Sequence, residues 1–146
     1  MPLFESEQDR RYEKAFADYL RKNYPLNAFK LDKKYGPDFF VSGLDGEPRS
    51  WVEFKQRSAR ILTDWDSHMI SSFKIWRGRS IAESTSLKFY VAIGVEIGDV
   101  IHYHQCHITQ DVIDNSRIEI GGRSDRGYAG DMEPMFFIPL SHFSEI

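Results

Sequence analysis

The segment PDFFVSGLDGEPRSWVEFK, residues 37–55, decides the fold of this 146-residue chain. An Asp-Gly pair at 45–46 separates two runs rich in apolar residues, and this pattern is a strong signal for a β-hairpin. With that pair central in the turn, Asp38 faces Glu53 across the two strands. Lys55 lies two residues beyond Glu53, so strand alternation puts both on one face. The sequence therefore predicts a hairpin that carries two carboxylates and a lysine on a single surface.

The two facing carboxylates indicate a candidate metal site. Directly opposite residues in a hairpin have Cβ atoms about 5 Å apart, where two like charges are destabilising. A bound Mg²⁺ or Mn²⁺ reverses that effect, because these ions prefer carboxylate oxygens. The alternative is that Glu53 and Lys55 belong to the solvated face of an ordinary amphipathic strand, since an acid-any-lysine string also occurs at 32–34. The opposite face of the hairpin is apolar and consists of Phe39, Val41, Val52 and Phe54.

The remaining elements follow from periodicity and from residues that begin or end helices. Ser6 is a fair N-cap, and apolar residues recur at helical spacing until Pro25, so a helix is expected over residues 6–23. Apolar positions predict a second helix over 66–84, weakened at its centre by Gly78. Strands are expected at 29–31, at 38–57 as the hairpin, and at 87–95, 100–104, 117–120 and 135–138.

These residues resemble the PD-(D/E)XK nuclease superfamily, over roughly residues 8 to 95. Pro37-Asp38 matches the "PD", and Glu53-Phe54-Lys55 matches the "(D/E)XK". Members usually carry a further acid on a helix before the hairpin, and Glu13 is the best match for it. The resemblance implies an α/β protein with a restriction-endonuclease-like αβββαβ core, in which helices flank a central mixed sheet.

The resemblance also implies the chemistry of the site. It predicts a metal-dependent nuclease that hydrolyses phosphodiester bonds in DNA and leaves a 5′-phosphate and a 3′-hydroxyl. Asp38, Glu53 and the backbone carbonyl of Phe54 would ligate Mg²⁺ or Mn²⁺, and Glu13 would complete the site or hold a second ion through water. Lys55 would orient the attacking water and add positive charge at the transition state.

Basic residues near the hairpin are candidates for contacts to nucleic acid. Arg57 extends the alternation of Glu53 and Lys55, and Lys74 or Arg77 could reach phosphate from the second helix. Taken singly, each such residue is more often a solvated charge. The candidates for nucleic-acid contacts are Arg57, Lys74, Arg77 and Lys34. A glycine-rich loop at 121–130 carries two arginines and a tyrosine, and it is either a further contact or a long solvated loop.

Size and charge bound the substrate. A chain of 146 residues with 41% hydrophobic content predicts a single nuclease-like domain over residues 1–146. The net charge of −3 is awkward for a nucleic-acid enzyme and predicts weak non-specific binding to DNA. It favours a homodimer that pools two basic patches, or other partners.

The short chain leaves little room for a sequence-reading domain, which favours structure-selective endonuclease action on branched DNA or junctions. The alternative is a non-catalytic nuclease-like protein that binds nucleic acid or serves in an assembly.

The single cysteine and the absence of long apolar runs in the sequence indicate in which cellular compartment the protein is expected. Cys106 excludes an intramolecular disulfide and suits a reducing environment. No signal-peptide pattern opens the chain, and no apolar run approaches the roughly 20 residues of a membrane helix. A cytoplasmic protein with no membrane partner is expected. Zinc is disfavoured, because the ligands in 102–107 lack the separated second pair typical of structural zinc sites.

Overall fold

The computed structural model of the protein describes residues 6–33, 36–122 and 132–146. Three helices and nine strands are present in these ranges. The helices are α1 (Glu7–Asn23), α2 (Ser72–Thr85) and α3 (Gln110–Asp114). The strands are β1 (Leu26–Lys30), β2 (Phe39–Gly43), β3 (Pro48–Arg57), β4 (Ser67–Ser71), β5 (Lys88–Ile97), β6 (Val100–His107), β7 (Arg117–Gly122), β8 (Met132–Pro139) and β9 (Ser144–Glu145). Short 3₁₀ turns occupy Ala59–Leu62 and Leu140–His142.

The strands form two sheets. The larger has six strands in the order β1-β2-β3-β5-β6-β9, and the smaller has three in the order β4-β8-β7. In the six-stranded sheet β3 and β5 run parallel, while all the other neighbouring strands of this sheet are antiparallel. The elements α1, β1, β2, β3, α2 and β5 follow the expected core order, with β4 inserted before α2. This arrangement confirms the predicted α/β, restriction-endonuclease-like fold with a central mixed sheet and flanking helices.

Helices cover both faces of the six-stranded sheet. On one face, Phe16 and Leu20 of α1 pack in a buried cluster with the apolar face of the hairpin. That cluster includes Phe39, Val41, Val52 and Phe54, all predicted to form it. On the other face, Ile75 and Ala82 of α2 pack against β5. Strand β5 is therefore buried on both sides, as its nearly continuous apolar sequence predicts.

The hairpin register is the one predicted from the turn. Phe39 pairs with Val52, and Val41 pairs with Ser50. Next to the turn the register is one residue off the predicted one, since Ser42 pairs with Pro48. A β-bulge between Val41 and Ser42 takes up the extra residue and restores the predicted register further from the turn. The register beyond Phe39 therefore brings Asp38 to the position facing Glu53.

Helix α1 confirms the first helix prediction, and its sequence shows why it begins where it does. The Ser6 side chain accepts a hydrogen bond from the Asp9 N–H, and the Asp9 carboxylate accepts one from the Ser6 N–H. This capping box satisfies two backbone donors at the helix start. The aromatic ring of Phe16 stacks on that of Phe54 at a centroid distance of 4.6 Å. That contact fixes the face of β3 that turns toward α1.

The second predicted helix is wrong over its first residues. Residues 67–71 form β4, which pairs with β8, and the helix begins only at Ser72. His68 and Ile70 are buried whereas Met69 is exposed, so the segment alternates with a period of two.

Among the helices of the described ranges, none is long and apolar enough to cross a membrane.

Gly78 has a packing role that its low helix propensity does not reveal. A Cβ at this position would come within 2.2 Å of the Phe89 ring. The glycine therefore lets α2 approach β5 closely.

The remaining predicted strands are confirmed, with boundaries a few residues longer than expected at β1, β6, β7 and β8.

Candidate active site

A cleft of about 340 Å³ opens between α1, the end of the hairpin and the start of α2. Four acids and five bases line it, together with Phe54 and Phe73. The acids are Asp9, Glu13, Asp38 and Glu53, and the bases are Lys30, Lys33, Lys55, Lys74 and Arg77. The structure thus brings the predicted catalytic residues into one cavity, along with two of the four predicted nucleic-acid contacts.

Asp38 is tied to β3 by a backbone hydrogen bond. Its Oδ2 atom accepts from the Phe54 N–H at 2.9 Å. In a strand, the N–H and C=O groups of one residue point toward the same neighbouring strand. The carbonyl of Phe54 therefore faces the side on which Asp38 lies. This places a carboxylate and a backbone oxygen at the same edge of the motif.

Glu53 is a buried acid on a central strand. Its exposed fraction is only 4%, because β3 lies between β2 and β5 and α2 covers this face. The pKa of Glu53 is raised to about 8: burial is the largest cause and the negative charge of Asp38 adds to it, while the Lys74 ammonium opposes both effects. Oε2 accepts a hydrogen bond from Lys74 Nζ at 2.8 Å. Oε1 is buried and has no hydrogen-bond partner within the described part of the chain.

Lys30 connects the other two acids. Its Nζ atom lies 2.5 Å from Glu13 Oε2 and 3.3 Å from Asp38 Oδ1. The burial of Lys30 lowers its pKa, but the two carboxylates outweigh that effect and the pKa is raised overall. Sequence reasoning missed this residue. The available signal was its place at the end of β1, where it pairs with Phe39, the residue after Asp38.

Glu13 therefore shares the cleft with the two hairpin acids, but an ammonium group bridges it to Asp38. Within the ranges 6–33, 36–122 and 132–146, no group of three or more His, Cys, Asp or Glu side chains lies close enough to hold a metal ion. The role of Glu13 as a further ligand stays a prediction. The same finding gives no support to zinc at 102–107, where His102 instead contacts Glu145 at 3.1 Å.

Lys55 lies on the same face as Glu53, as alternation predicts, and its side chain lines the cleft. Partial burial lowers the pKa of Lys55, and the positive charges of Arg57 and Lys74 lower it further. The lysine therefore sits among other cations, in a position that favours a nearby anion. A phosphate group meets that requirement.

The predicted nucleic-acid contacts separate into two groups. Lys74 and Arg77 line the cleft, and the stem of Arg77 packs against Gly36. Arg57 does not line it. Lys34 and most of the glycine-rich loop, residues 123–130, lie outside the described residues.

Arg57 instead ties β3 to β4. Its guanidinium donates to the carbonyl of Met69 at 3.0 Å and to His68 Nδ1 at 3.4 Å. Burial lowers the pKa of His68 to about 3, and the positive charge of Arg57 contributes, so the imidazole is neutral. This contact holds the two sheets together. The sequence did not reveal it, because β4 was not expected.

The donor set suits a hard divalent cation. Asp38 and Glu53 offer carboxylate oxygens, the backbone carbonyl of Phe54 faces the same side, and Glu53 Oε1 is a buried acceptor that lacks a hydrogen bond. Mg²⁺ and Mn²⁺ prefer ligands of this kind. The raised pKa of Glu53 is also the shift expected for a carboxylate placed beside another in a water-poor site.

Comparison with known proteins agrees with this geometry. No curated protein matches the chain. The protein-family model described as "Phage putative PDDEXK endonuclease" matches residues 1–146, which is the entire chain. The hairpin acids, the lysine two residues beyond Glu53 and the mixed sheet are the features by which this chain resembles the PD-(D/E)XK superfamily. The chain belongs to the phage PDDEXK endonuclease family, within the PD-(D/E)XK nuclease superfamily.

Proposed function

We propose that this chain, as a single domain over residues 1–146, is a divalent-metal-dependent endonuclease that hydrolyses phosphodiester bonds in DNA. The observation that carries the proposal is the meeting of Asp38, Glu53 and Lys55 in one cleft at the end of the β2–β3 hairpin. The family to which the chain belongs supports the reaction class.

Asp38, Glu53 and the backbone carbonyl of Phe54 would hold Mg²⁺ or Mn²⁺, and Glu13 would assist from α1. A bound divalent ion supplies an activated water and stabilises charge on the phosphate oxygens. The Phe54 N–H fixes the orientation of Asp38. Glu53 must lose its proton to act as a ligand; burial and Asp38 raise its pKa and oppose that loss, whereas the Lys74 ammonium favours the ionised form.

The basic residues of the cleft would act on the substrate. Lys55 would orient the attacking water and stabilise negative charge that develops at the phosphate, a role suited to a fixed cation in a water-poor site. Lys74 and Arg77, on α2 at the rim, would neutralise neighbouring phosphates. Structure-selective action on branched DNA or junctions is the finer substrate proposal. A homodimer and a cytoplasmic location stay predictions from charge balance and cysteine content.

The test is cleavage of labelled linear duplex, single-stranded and four-way-junction DNA in the presence of Mg²⁺, Mn²⁺ or EDTA. We expect cutting that requires the metal and that is lost in Asp38→Asn. The matched control is Asp99→Asn, which changes an exposed acid in the β5–β6 turn and should cut at the wild-type rate. Binding without cutting of any substrate, by folded protein, would instead favour a non-catalytic binding or assembly role.

A further inference from the structure

Helix α2 presents large aromatic side chains to solvent. Phe73 is 56% exposed and Trp76 is 67% exposed, whereas Ile75 and Gly78 on the opposite side are buried against the sheet. Residues three and four apart are neighbours on a helix surface, so Phe73, Trp76 and Arg77 share the outer face. Packing against the sheet therefore explains the residues on the inner side of α2. It does not explain why the exposed side carries two aromatic rings.

One of the two rings lies at the proposed reaction centre and the other lies next to it on the helix. Phe73 lines the same cleft as Asp38 and Glu53, whereas Trp76 does not line it and stands three residues further along the outer face of α2. Lys74 and Arg77 line that cleft as well, so α2 offers aromatic and cationic groups side by side. This combination matches the chemistry of nucleic acid, because cations bind phosphates and aromatic rings stack on bases.

The pairing of the rings with cations indicates which substrate they fit. In an intact duplex the faces of the bases are already stacked on one another and are closed to a side chain. A ring can stack only on a base that is unpaired or turned out of the helix. A protein partner would be a less fitting occupant, since the two rings stand beside Lys74 and Arg77, and aromatic and cationic groups side by side match bases and phosphates.

We propose that Phe73 and Trp76 form a base-stacking platform through which the enzyme selects DNA with unpaired nucleotides next to the scissile phosphate. The inference rests on the proposed nuclease function and names the substrate class of the same cleft. Two rings at helical spacing suit neighbouring nucleotides on a single strand, while Lys74 and Arg77 bind the connecting phosphates.

Binding in EDTA tests the platform without cleavage. The affinities of wild type, Phe73→Leu and Trp76→Leu are measured for an oligothymidylate and for a duplex of equal length. Loss of one stacked base should weaken single-strand binding roughly tenfold and leave duplex binding within about twofold. Trp65→Leu is the matched control, because Trp65 is 63% exposed but lies outside α2. Equal losses on both DNAs, or no loss on either, would overturn the proposal.

Tryptophan fluorescence supplies a second measurement. In a Trp65→Phe background the emission comes from Trp76 and from Trp51, which is partly buried and donates to Thr85. Single-stranded DNA should quench this emission and duplex should not. A change that depends on protein concentration instead of DNA would mean that Trp76 faces a second copy, and it would overturn the platform.

The two proposals can fail separately. If the protein cuts DNA with metal but Phe73→Leu and Trp76→Leu keep the wild-type preference between strands, the platform fails and the nuclease stands. If the protein cuts nothing yet loses single-strand binding in these variants, the nuclease fails and the binding platform stands.

Discussion

At the scale of the residue, Glu53 combines burial with a neighbouring negative charge. Its pKa is about 8 in the folded protein and near 4.5 in an unfolded chain, so between these values the folded state holds the extra proton. The contribution of Glu53 to the free energy of unfolding of the metal-free protein should therefore be greatest below about pH 4.5 and fall until about pH 8. Glu53→Gln removes the ionisation and should stabilise the protein near pH 8 by on the order of 2 kcal/mol.

Urea denaturation in EDTA between about pH 5 and pH 9 measures this effect. Glu83→Gln is the control, because Glu83 lies on the exposed side of α2 and should reproduce the wild-type pH dependence. If the Glu53→Gln and wild-type curves run parallel across this range, the raised pKa is refuted.

Lys55 should matter more for rate than for binding. Lys55→Ala removes a cation from beside the proposed reaction centre, and the loss of one such electrostatic contact typically costs about a hundredfold in rate. Single-turnover cleavage should show that loss, while DNA affinity in EDTA changes only a few-fold because Lys74 and Arg77 remain. Lys88→Ala, at the start of β5 and outside the cleft, should leave both quantities unchanged. A purely structural lysine would instead affect stability and leave the rate constant of folded protein intact.

The residues that could be predicted are those fixed by local geometry. The Asp-Gly pair at 45–46 locates the turn, and the register beyond the bulge at Val41 sets the positions of Asp38, Glu53 and Lys55. Lys30 and Lys74 were harder to assign, because their pairing with the acids depends on where β1 and α2 pack. No spacing in the sequence relates those elements to the hairpin.

At the scale of the element, the fold follows from pattern wherever partners are close in the chain. Apart from the two-residue strand β9, the first helix, the hairpin and the strands after residue 87 were all visible in this way. Strand β4 was not, since its partner β8 lies more than 60 residues further on, at Met132–Pro139. Residues 67–71 also run directly into α2, so their apolar positions extended the helical pattern. Long-range pairing overrode local propensity there.

Gly78 allows a test of packing between α2 and β5. Alanine favours a helix interior over glycine by about 1 kcal/mol, so propensity alone predicts that Gly78→Ala stabilises the protein. The added Cβ would meet the Phe89 ring at 2.2 Å, and overpacking of this kind typically costs about 1–3 kcal/mol. We therefore expect net destabilisation in urea denaturation.

Two variants check the cause of that effect. Ser80→Ala, at an exposed position of the same helix, should be neutral or slightly stabilising. Phe89→Leu should recover part of the stability lost in Gly78→Ala, because it removes the ring that the new methyl group meets. A Gly78→Ala protein as stable as wild type would show that α2 can shift without cost.

At the scale of the whole molecule, the charge of −3 leaves the cleft to supply most of the attraction for DNA. Three or four of its cations contacting phosphate would give a plot of log affinity against log salt with a slope of about −3. Arg77→Ala should reduce the magnitude of this slope by about one. Arg79→Ala is the control, since Arg79 donates to Gln110 and lies outside the cleft. A slope near zero for the wild type would mean that DNA does not enter the cleft.

Lys30 and Lys74 are paired with the same acids that a divalent ion would bind, so the ion would have to replace them. The acids that a divalent ion would bind already have counter-ions of their own, supplied by the chain. We expect the protein to fold cooperatively in EDTA, because metal is not needed to neutralise the acids. A divalent ion that takes up the carboxylates would displace the two ammonium groups, which then become available to the DNA backbone. Metal binding and DNA binding would then be coupled through the same pair of lysines.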